Sequence, residues 1–165
     1  MKRFKWVILL TVALLIIGVV IVGLQVRHQQ TETETAGSIT LKSGGQELLI
    51  PVSDLDREAF SGETVNGKGE HFNNDYRGVE LQTLLSEQGL SPDSIHEVTA
   101  LAADQYSAVY SGDEIRESGR IYLAVEVNGE SIEGIEGDRP GVQVIVFGDP
   151  DSRRMVRSVE ILEIK

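Results

Sequence analysis

Residues 75–90 constrain the fold most, because apolar side chains recur there at helical spacing and nearby residues are polar. This pattern predicts a helix with one buried stripe. The stripe consists of Val79, Leu81, Leu84 and Leu85. Residues 76–78 are expected to form a turn before the helix, and Gly89 is expected to end it, because glycine adopts a left-handed conformation without a Cβ clash. The flanking sequences are typical of short strands, so this helix is predicted to cover a sheet.

The acidity of the chain lies entirely beyond Arg27. All 26 Asp and Glu residues follow that position, whereas four of the 15 Lys and Arg residues lie at or before it, so the remainder carries a formal net charge of −15. Such a surface repels phosphate backbones, which argues against a nucleic-acid partner. The simplest interpretation is that the acidity keeps an exposed domain soluble.

The chain contains no cysteine. Disulfides, thiolate metal ligands and cysteine nucleophiles are therefore excluded. There is no Gly-x-Ser-x-Gly motif, and the three histidines (His28, His71 and His96) do not fall into a Ser/His/Asp arrangement. The sequence consequently predicts no catalytic residue and no metal ligand.

Residues 6–26 are uncharged and almost wholly apolar. A helix of this length crosses a hydrocarbon core about 30 Å thick, and the preceding Lys2, Arg3 and Lys5 place the N-terminus in the cytoplasm. A cleaved signal peptide is the alternative, but its apolar region is shorter and ends in a small-residue site that is missing near Leu24. We therefore expect a cytoplasmic N-terminus (1–5), a single-pass membrane anchor (6–26), a tether (27–37) and an extracytoplasmic domain (38–165).

Alternating apolar residues and turn signals after the tether predict an α+β domain with mostly antiparallel strands. Ser53 is expected to cap a short helical turn that extends to Phe60. A further short helix is expected to open at residues 111–114. The predicted hairpins are 38–51 and 63–72, and the predicted strands beyond the central helix are 96–101, 106–110, 121–127, 142–147 and 156–164.

Charged clusters allow two interpretations. Three arginines lie within five residues, at Arg153, Arg154 and Arg157, and guanidinium groups in such a cluster can bind phosphate or carboxylate. Alternatively they pair with their acidic neighbours, which are Asp149, Asp151 and Glu160. The carboxylate pairs Glu114/Glu117 and Glu133/Glu136 are expected to be solvated charges.

Five segments follow one another in a recognisable order. They are 76–81 (Tyr-Arg-Gly-Val-Glu-Leu), 103–107 (Ala-Asp-Gln-Tyr-Ser), 123–130 (Leu-Ala-Val-Glu-Val-Asn-Gly-Glu), 139–146 (Arg-Pro-Gly-Val-Gln-Val-Ile-Val) and 156–164 (Val-Arg-Ser-Val-Glu-Ile-Leu-Glu-Ile). Together they resemble the oxidoreductase molybdopterin-binding domain, the fold of the sulfite oxidase type, over residues 39–164. The resemblance implies that fold, with molybdopterin as the cofactor and a cleft around Tyr76, Arg77, Asp104 and Tyr106.

The sequence departs from the family at the metal ligand. In the enzymes of that family a cysteine ahead of the Tyr-Arg-Gly-Val-like segment ligates molybdenum, but residues 64–75 contain no cysteine. Asn66 and His71 lie there and are further candidates for cofactor binding, but both are poor substitutes for a soft anionic thiolate. We therefore expect a small, membrane-anchored relative that acts as a binding or accessory module. Two other interpretations are a molybdopterin-binding oxidoreductase or electron-transfer component with a redox partner protein in the membrane, and a structural domain of a membrane complex.

Overall fold

Ten β-strands in two sheets dominate the computed structural model, which describes residues 37–134, 137 and 140–165. The predicted anchor (6–26) lies outside the described residues, as does the tether up to residue 36. Within the described part of the chain, no helix is long and apolar enough to cross a membrane. In chain order the strands are β1 (Ser38–Ser43), β2 (Gln46–Pro51), β3 (Glu58–Val65), β4 (His71–Glu80), β5 (Glu97–Ala102), β6 (Ser107–Ser111), β7 (Ile121–Val127), β8 (Glu130–Ser131), β9 (Gln143–Val146) and β10 (Val159–Ile164).

The first sheet joins the two ends of the domain. Its strand order is β2-β1-β10-β5-β6, and β1 pairs with β10 in parallel whereas the other neighbours are antiparallel. The second sheet has the order β3-β4-β7-β8, and β9 also pairs with β7. All pairings in the second sheet are antiparallel. The predicted α+β class with mostly antiparallel strands is confirmed.

Two short α-helices and three 3₁₀ turns connect the strands of the described residues. The helices are α1 (Leu81–Glu87) and α2 (Gly112–Arg116), and the 3₁₀ turns are Val52–Leu55, Pro92–Ser94 and Ser152–Arg154. Helix α1 packs against β4 and β7. It buries Leu81, Leu84 and Leu85 in a core that also contains Val98 of the first sheet and Leu123 of the second. The predicted apolar stripe is thus confirmed for its three leucines.

The strand β4 continues through the residues that the sequence assigned to a turn and to the first turn of the helix. Tyr76, Arg77 and Gly78 pair along β4 with both β3 and β7, and Val79 is a buried strand residue, so the predicted turn and the predicted helix start were wrong. Gly78 lies at a register shift of the β4–β7 pair. A Cβ atom on it would lie 2.0 Å from the carbonyl oxygen of Leu123. This glycine therefore permits a close approach between two backbones within the sheet.

The other local predictions fared unevenly. The β1–β2 hairpin turns at Gly44 and Gly45, whose φ angles of 57° and 80° fit a two-residue turn. Strand β7 has the predicted bounds. The helical turn predicted from Ser53 was wrong, because the 3₁₀ turn has no side-chain cap and ends at Leu55. The chain enters β3 soon afterwards, because all residues of β3 pair with β4 from His71 to Gly78.

Candidate functional site

A cavity of about 370 Å³ lies between the β3–β4 hairpin and the segment that joins β9 to β10. Its apolar wall consists of Val65, Phe72, Tyr76, Val127 and Met155. Its polar side chains are Thr64, Asn66, Asn74, Gln143, Ser152 and Arg157. A volume of this size accommodates a small organic molecule. We call it the hairpin cavity.

The rim of the hairpin cavity is shaped by Asn66. Its Oδ1 accepts hydrogen bonds from the backbone N–H groups of Lys68 (2.8 Å) and Glu70 (3.0 Å), and its Nδ2 donates to Glu70 Oε2 at 2.7 Å. An asparagine side chain that forms hydrogen bonds with backbone groups a few residues later in the chain stabilises a turn. Because both the oxygen and the nitrogen of its side-chain amide form hydrogen bonds, Asn66 orders the rim of the cavity.

The wall of the hairpin cavity is held by Tyr76, which is only 6% exposed. Its ring stacks on Phe60 with a centroid distance of 5.3 Å and contacts Phe147 edge-on at 6.4 Å. Its hydroxyl accepts a hydrogen bond from Asn74 Nδ2 at 3.2 Å, and Asn74 Oδ1 accepts one from Asn128 Nδ2 at 2.9 Å. Aromatic packing on one side and hydrogen bonds with asparagine side chains on the other therefore fix the position of the phenol ring.

Arg157 lies in a segment that forms backbone hydrogen bonds with β9 and with the residue that precedes β9. The N–H of Val144 donates to the carbonyl of Val156 at 2.8 Å, and the N–H of Val159 donates to that of Val142 at 2.9 Å. Arg157 itself is exposed. It forms no ion pair with another described residue, so the pairing with Glu160 considered from the sequence is absent within that part of the chain.

The structure does not bring the sequence-predicted site residues together. Tyr76 and Asn66 line the hairpin cavity, whereas Arg77 forms an exposed ion pair with Asp56, with an Nε–Oδ1 distance of 2.7 Å. Successive residues of a strand point to opposite faces, which separates Arg77 from its neighbour Tyr76. His71 lines a different cavity of about 580 Å³ and lies 2.9 Å from a carboxylate oxygen of Glu63.

Asp104 and Tyr106 belong to the β5–β6 hairpin of the first sheet. Asp104 Oδ1 accepts a hydrogen bond from the N–H of Tyr106 at 2.9 Å, and this contact stabilises the turn. The Tyr106 hydroxyl donates to the carbonyl of Arg153. These two residues therefore lie at the first sheet, while the hairpin cavity is built on the second.

An ion cluster near the end of β9 was predicted only in part from the sequence. It consists of Glu114, Arg120, Asp149 and Arg154. Arg154 binds both carboxylate oxygens of Asp149, at 2.6 and 2.8 Å, and reaches Glu114 at 2.6 Å. The hydrogen bond from Arg154 is the main reason why the pKa of Glu114 is lowered to about 2. Glu114 is thus not the solvated charge that was expected, although the expected pairing of Arg154 with Asp149 is confirmed.

The ion cluster is further connected to the core through Tyr110. This side chain is fully buried, and its hydroxyl donates to the carbonyl of Arg154 at 2.5 Å. Burial raises the pKa of Tyr110 well above its ordinary value. One sequence signal for the cluster existed: Ser111 and Glu114 have capping-box spacing, and the structure contains that box. Arg153 pairs with Asp151 at 2.7 Å, as considered from the sequence.

Comparisons with known proteins bear on the fold. No protein-family model and no curated protein matches the chain. Among solved structures, it is similar to the sulfane dehydrogenase SoxCD from Paracoccus pantotrophus, with a TM-score of 0.62 and 18% sequence identity over 79% of this chain and 38% of that one. This similarity agrees with the sulfite-oxidase-like fold that the sequence resemblance implies. The chain spans well under half of the SoxCD chain, and at this identity the similarity concerns the fold alone.

The residues of the hairpin cavity do not fit the metal that this fold family implies. The cavity includes Thr64 and Val65, at the start of the stretch where the family ligand was expected. Its described side chains offer neutral hydroxyl and amide oxygens, whereas the molybdenum of that family takes a soft, anionic thiolate. Among the described residues there is no group of three or more His, Asp or Glu side chains arranged to hold a metal ion.

Proposed function

We propose that this protein is a membrane-anchored, extracytoplasmic binding or accessory module that uses a sulfite-oxidase-like fold without a thiolate-ligated metal. The observation that carries the proposal is the hairpin cavity itself, which combines an ordered aromatic wall with hydroxyl, amide and guanidinium groups. A concave, mostly apolar site with a few polar groups is typical of small-molecule recognition. Binding in this cavity requires no metal.

Metal content and ligand binding are tested together on the full chain in nanodiscs, after expression in a host that makes molybdopterin. We expect less than stoichiometric molybdenum by elemental analysis. We also expect at least one compound from a diverse small-molecule library to raise the midpoint of thermal unfolding, followed by circular dichroism. A ligand at about 100 times its Kd adds about 2.7 kcal/mol to the free energy of unfolding. Stoichiometric molybdenum would overturn the proposal.

A matched pair of variants shows whether a ligand binds in the hairpin cavity. Ser152 lines the cavity in one 3₁₀ turn, whereas Ser53 is exposed in another. Ser152→Trp adds a large ring to the cavity wall and should abolish the ligand-induced stabilisation. Ser53→Trp adds the same ring elsewhere and should preserve it. If both variants retain binding, the ligand site lies outside the cavity.

The proposed location follows from residues 1–26, outside the described part of the chain. Lys2, Arg3 and Lys5 precede the apolar stretch, and this arrangement favours an N-terminus in the cytoplasm. Protease added to intact cells should digest the domain beyond the tether and spare an N-terminal epitope. A shortened protein released into the medium would instead indicate a cleaved signal peptide.

The similarity to a sulfane dehydrogenase favours a second candidate function, in which the chain is a molybdopterin-binding redox component acting with a membrane partner. Ultraviolet-visible spectra of the purified full chain, recorded before and after dithionite, test this candidate. A reversible change in the spectrum, together with bound metal, would support it. A chain that binds no compound and shows no such change would be a structural domain.

A further inference from the structure

The hairpin cavity differs in charge from the domain that contains it. The chain has 26 acidic residues, yet the described lining of this cavity contains no Asp or Glu and one Arg. Two other cavities include carboxylates: Glu63 and Asp149 line one, and the other is lined by Asp149 and Asp151 together with their partners Arg154 and Arg153. The acidic domain as a whole repels an approaching anion. This repulsion is weaker at the hairpin cavity than at surfaces with unpaired carboxylates, because no carboxylate is among its described lining residues.

Arg157 is the exception among the arginines of the described residues. Each of the other six forms an ion pair with an Asp or a Glu, whereas Arg157 forms none. The paired arginines are Arg57, Arg77, Arg116, Arg120, Arg153 and Arg154. In a domain with this excess of acidic groups, an arginine that lines a cavity and has no carboxylate partner among the described residues has its donors available to a ligand. A guanidinium group can donate two parallel hydrogen bonds to two oxygens of a carboxylate, sulfonate or phosphate group.

The apolar residues of the cavity lining favour an organic ligand over an inorganic anion. Phe72, Tyr76 and Met155 present aromatic and thioether surface, which an inorganic anion would leave uncovered. Gln143 and Ser152 line the cavity and form no hydrogen bonds through their side chains with other described residues. They can therefore bond a ligand oxygen beside Arg157.

We propose that the hairpin cavity binds a small organic oxyanion, whose charged group is held by Arg157 while its apolar or aromatic body packs against Phe72, Tyr76 and Met155. This inference rests on the proposed binding function and adds the chemical class of the ligand. It is independent of any metal, because the guanidinium and the apolar wall supply both contacts.

The experiment is calorimetric titration of the full chain in nanodiscs of neutral lipid. The probes are benzoate, benzenesulfonate and phenyl phosphate, which share a ring and differ in the oxyanion, with benzamide as the neutral match and inorganic sulfate as the anion without a body. We expect at least one aromatic anion to bind about tenfold or more tightly than benzamide, because a charge-assisted hydrogen bond is stronger than a neutral one. The order among the three anions identifies the oxyanion.

Three arginine variants assign the effect to one residue. Arg157→Gln should weaken the best anion about 10- to 100-fold and leave benzamide unchanged, while Arg157→Lys should restore part of the loss. Arg153→Gln removes the same charge four residues away, from a side chain that is 82% exposed and outside this cavity. It should leave both affinities unchanged.

Four results would overturn the inference: benzamide binding as tightly as the anions, sulfate binding as tightly as the aromatic anions, Arg153→Gln weakening binding as much as Arg157→Gln, or no binding of any probe. The first three leave the proposed binding function standing if Ser152→Trp abolishes the binding. In the fourth case the library screen decides that function separately, because it includes neutral and cationic compounds. The proposed function fails, in contrast, if the full chain carries stoichiometric molybdenum.

Discussion

Arg154 and Arg157 lie three residues apart between β9 and β10, and their surroundings differ in almost every respect. Arg154 is enclosed by two carboxylates and lies 5.7 Å from the centroid of the Tyr110 ring, whereas Arg157 is exposed at a cavity lined by neutral groups. A guanidinium that is bonded to carboxylates of the same protein links secondary-structure elements. A guanidinium without such a partner can bind a ligand. The ion cluster and the hairpin cavity thus represent a structural and a recognition use of the same side chain.

The largest expected loss of stability comes from a substitution in the core between the sheets. Leu84→Ala should reduce the free energy of unfolding by about 2–5 kcal/mol, because a fully buried leucine loses its transfer free energy and leaves a cavity. Leu49 is 56% exposed, so Leu49→Ala should change it by less than about 0.5 kcal/mol. Urea unfolding followed by circular dichroism measures both. Equal effects would mean that α1 does not form the core.

The two arginines themselves provide the sharpest test. Arg154→Met should cost about 3 kcal/mol, the lower end of the range for breaking a buried ion pair, because Asp149 is largely buried and loses its bidentate partner. Arg157→Met should change the free energy of unfolding by less than about 0.5 kcal/mol. The same urea titrations compare them. If Arg157→Met were the more destabilising variant, the proposed division of roles would be reversed.

Two tyrosines extend the comparison from charges to hydroxyl groups. Tyr110→Phe should cost about 1–2 kcal/mol, because the carbonyl of Arg154 loses its buried donor. Tyr76→Phe should cost less than about 1 kcal/mol, since its hydroxyl only accepts one 3.2 Å hydrogen bond at the cavity wall. Thermal unfolding of the two variants under one buffer condition measures this difference. A larger loss for Tyr76→Phe would show that the cavity wall supports the fold.

The last comparison concerns the pH dependence of the ion cluster. The pKa of Glu114 is lowered from 4.5 to about 2, chiefly by its hydrogen bond with Arg154. A carboxyl whose pKa is lower in the folded state stabilises the fold above its unfolded pKa, and this contribution disappears as the pH falls through the folded pKa. Between pH 4.5 and about 2, the wild type should therefore lose more stability than Glu114→Gln. Identical pH profiles would show that the pair with Arg154 does not form.

Much of the local structure could be predicted from the sequence, because it depends on short-range periodicity and turn chemistry. Three features are visible within a few residues: the Ile, Tyr, Leu and Val residues of β7, the Gly-Gly turn of the first hairpin and the leucine stripe of α1. The segments that resemble a molybdopterin-binding domain also indicated a sulfite-oxidase-like fold, with which the similarity to SoxCD agrees. The absence of cysteine follows from the sequence alone.

The tertiary structure decided what depends on residues far apart in the chain. Gly78 resembles a turn residue locally, but the backbone of β7 passes so close to it that no side chain fits. The parallel pairing of β1 with β10 joins the two ends of the domain, and Glu114 meets Arg154 across 40 positions. The hairpin cavity likewise combines residues from β3, β4, β7 and β9 with Arg157. Composition and spacing cannot predict such encounters, because they depend on how the sheets pack and on which charges that packing leaves without partners.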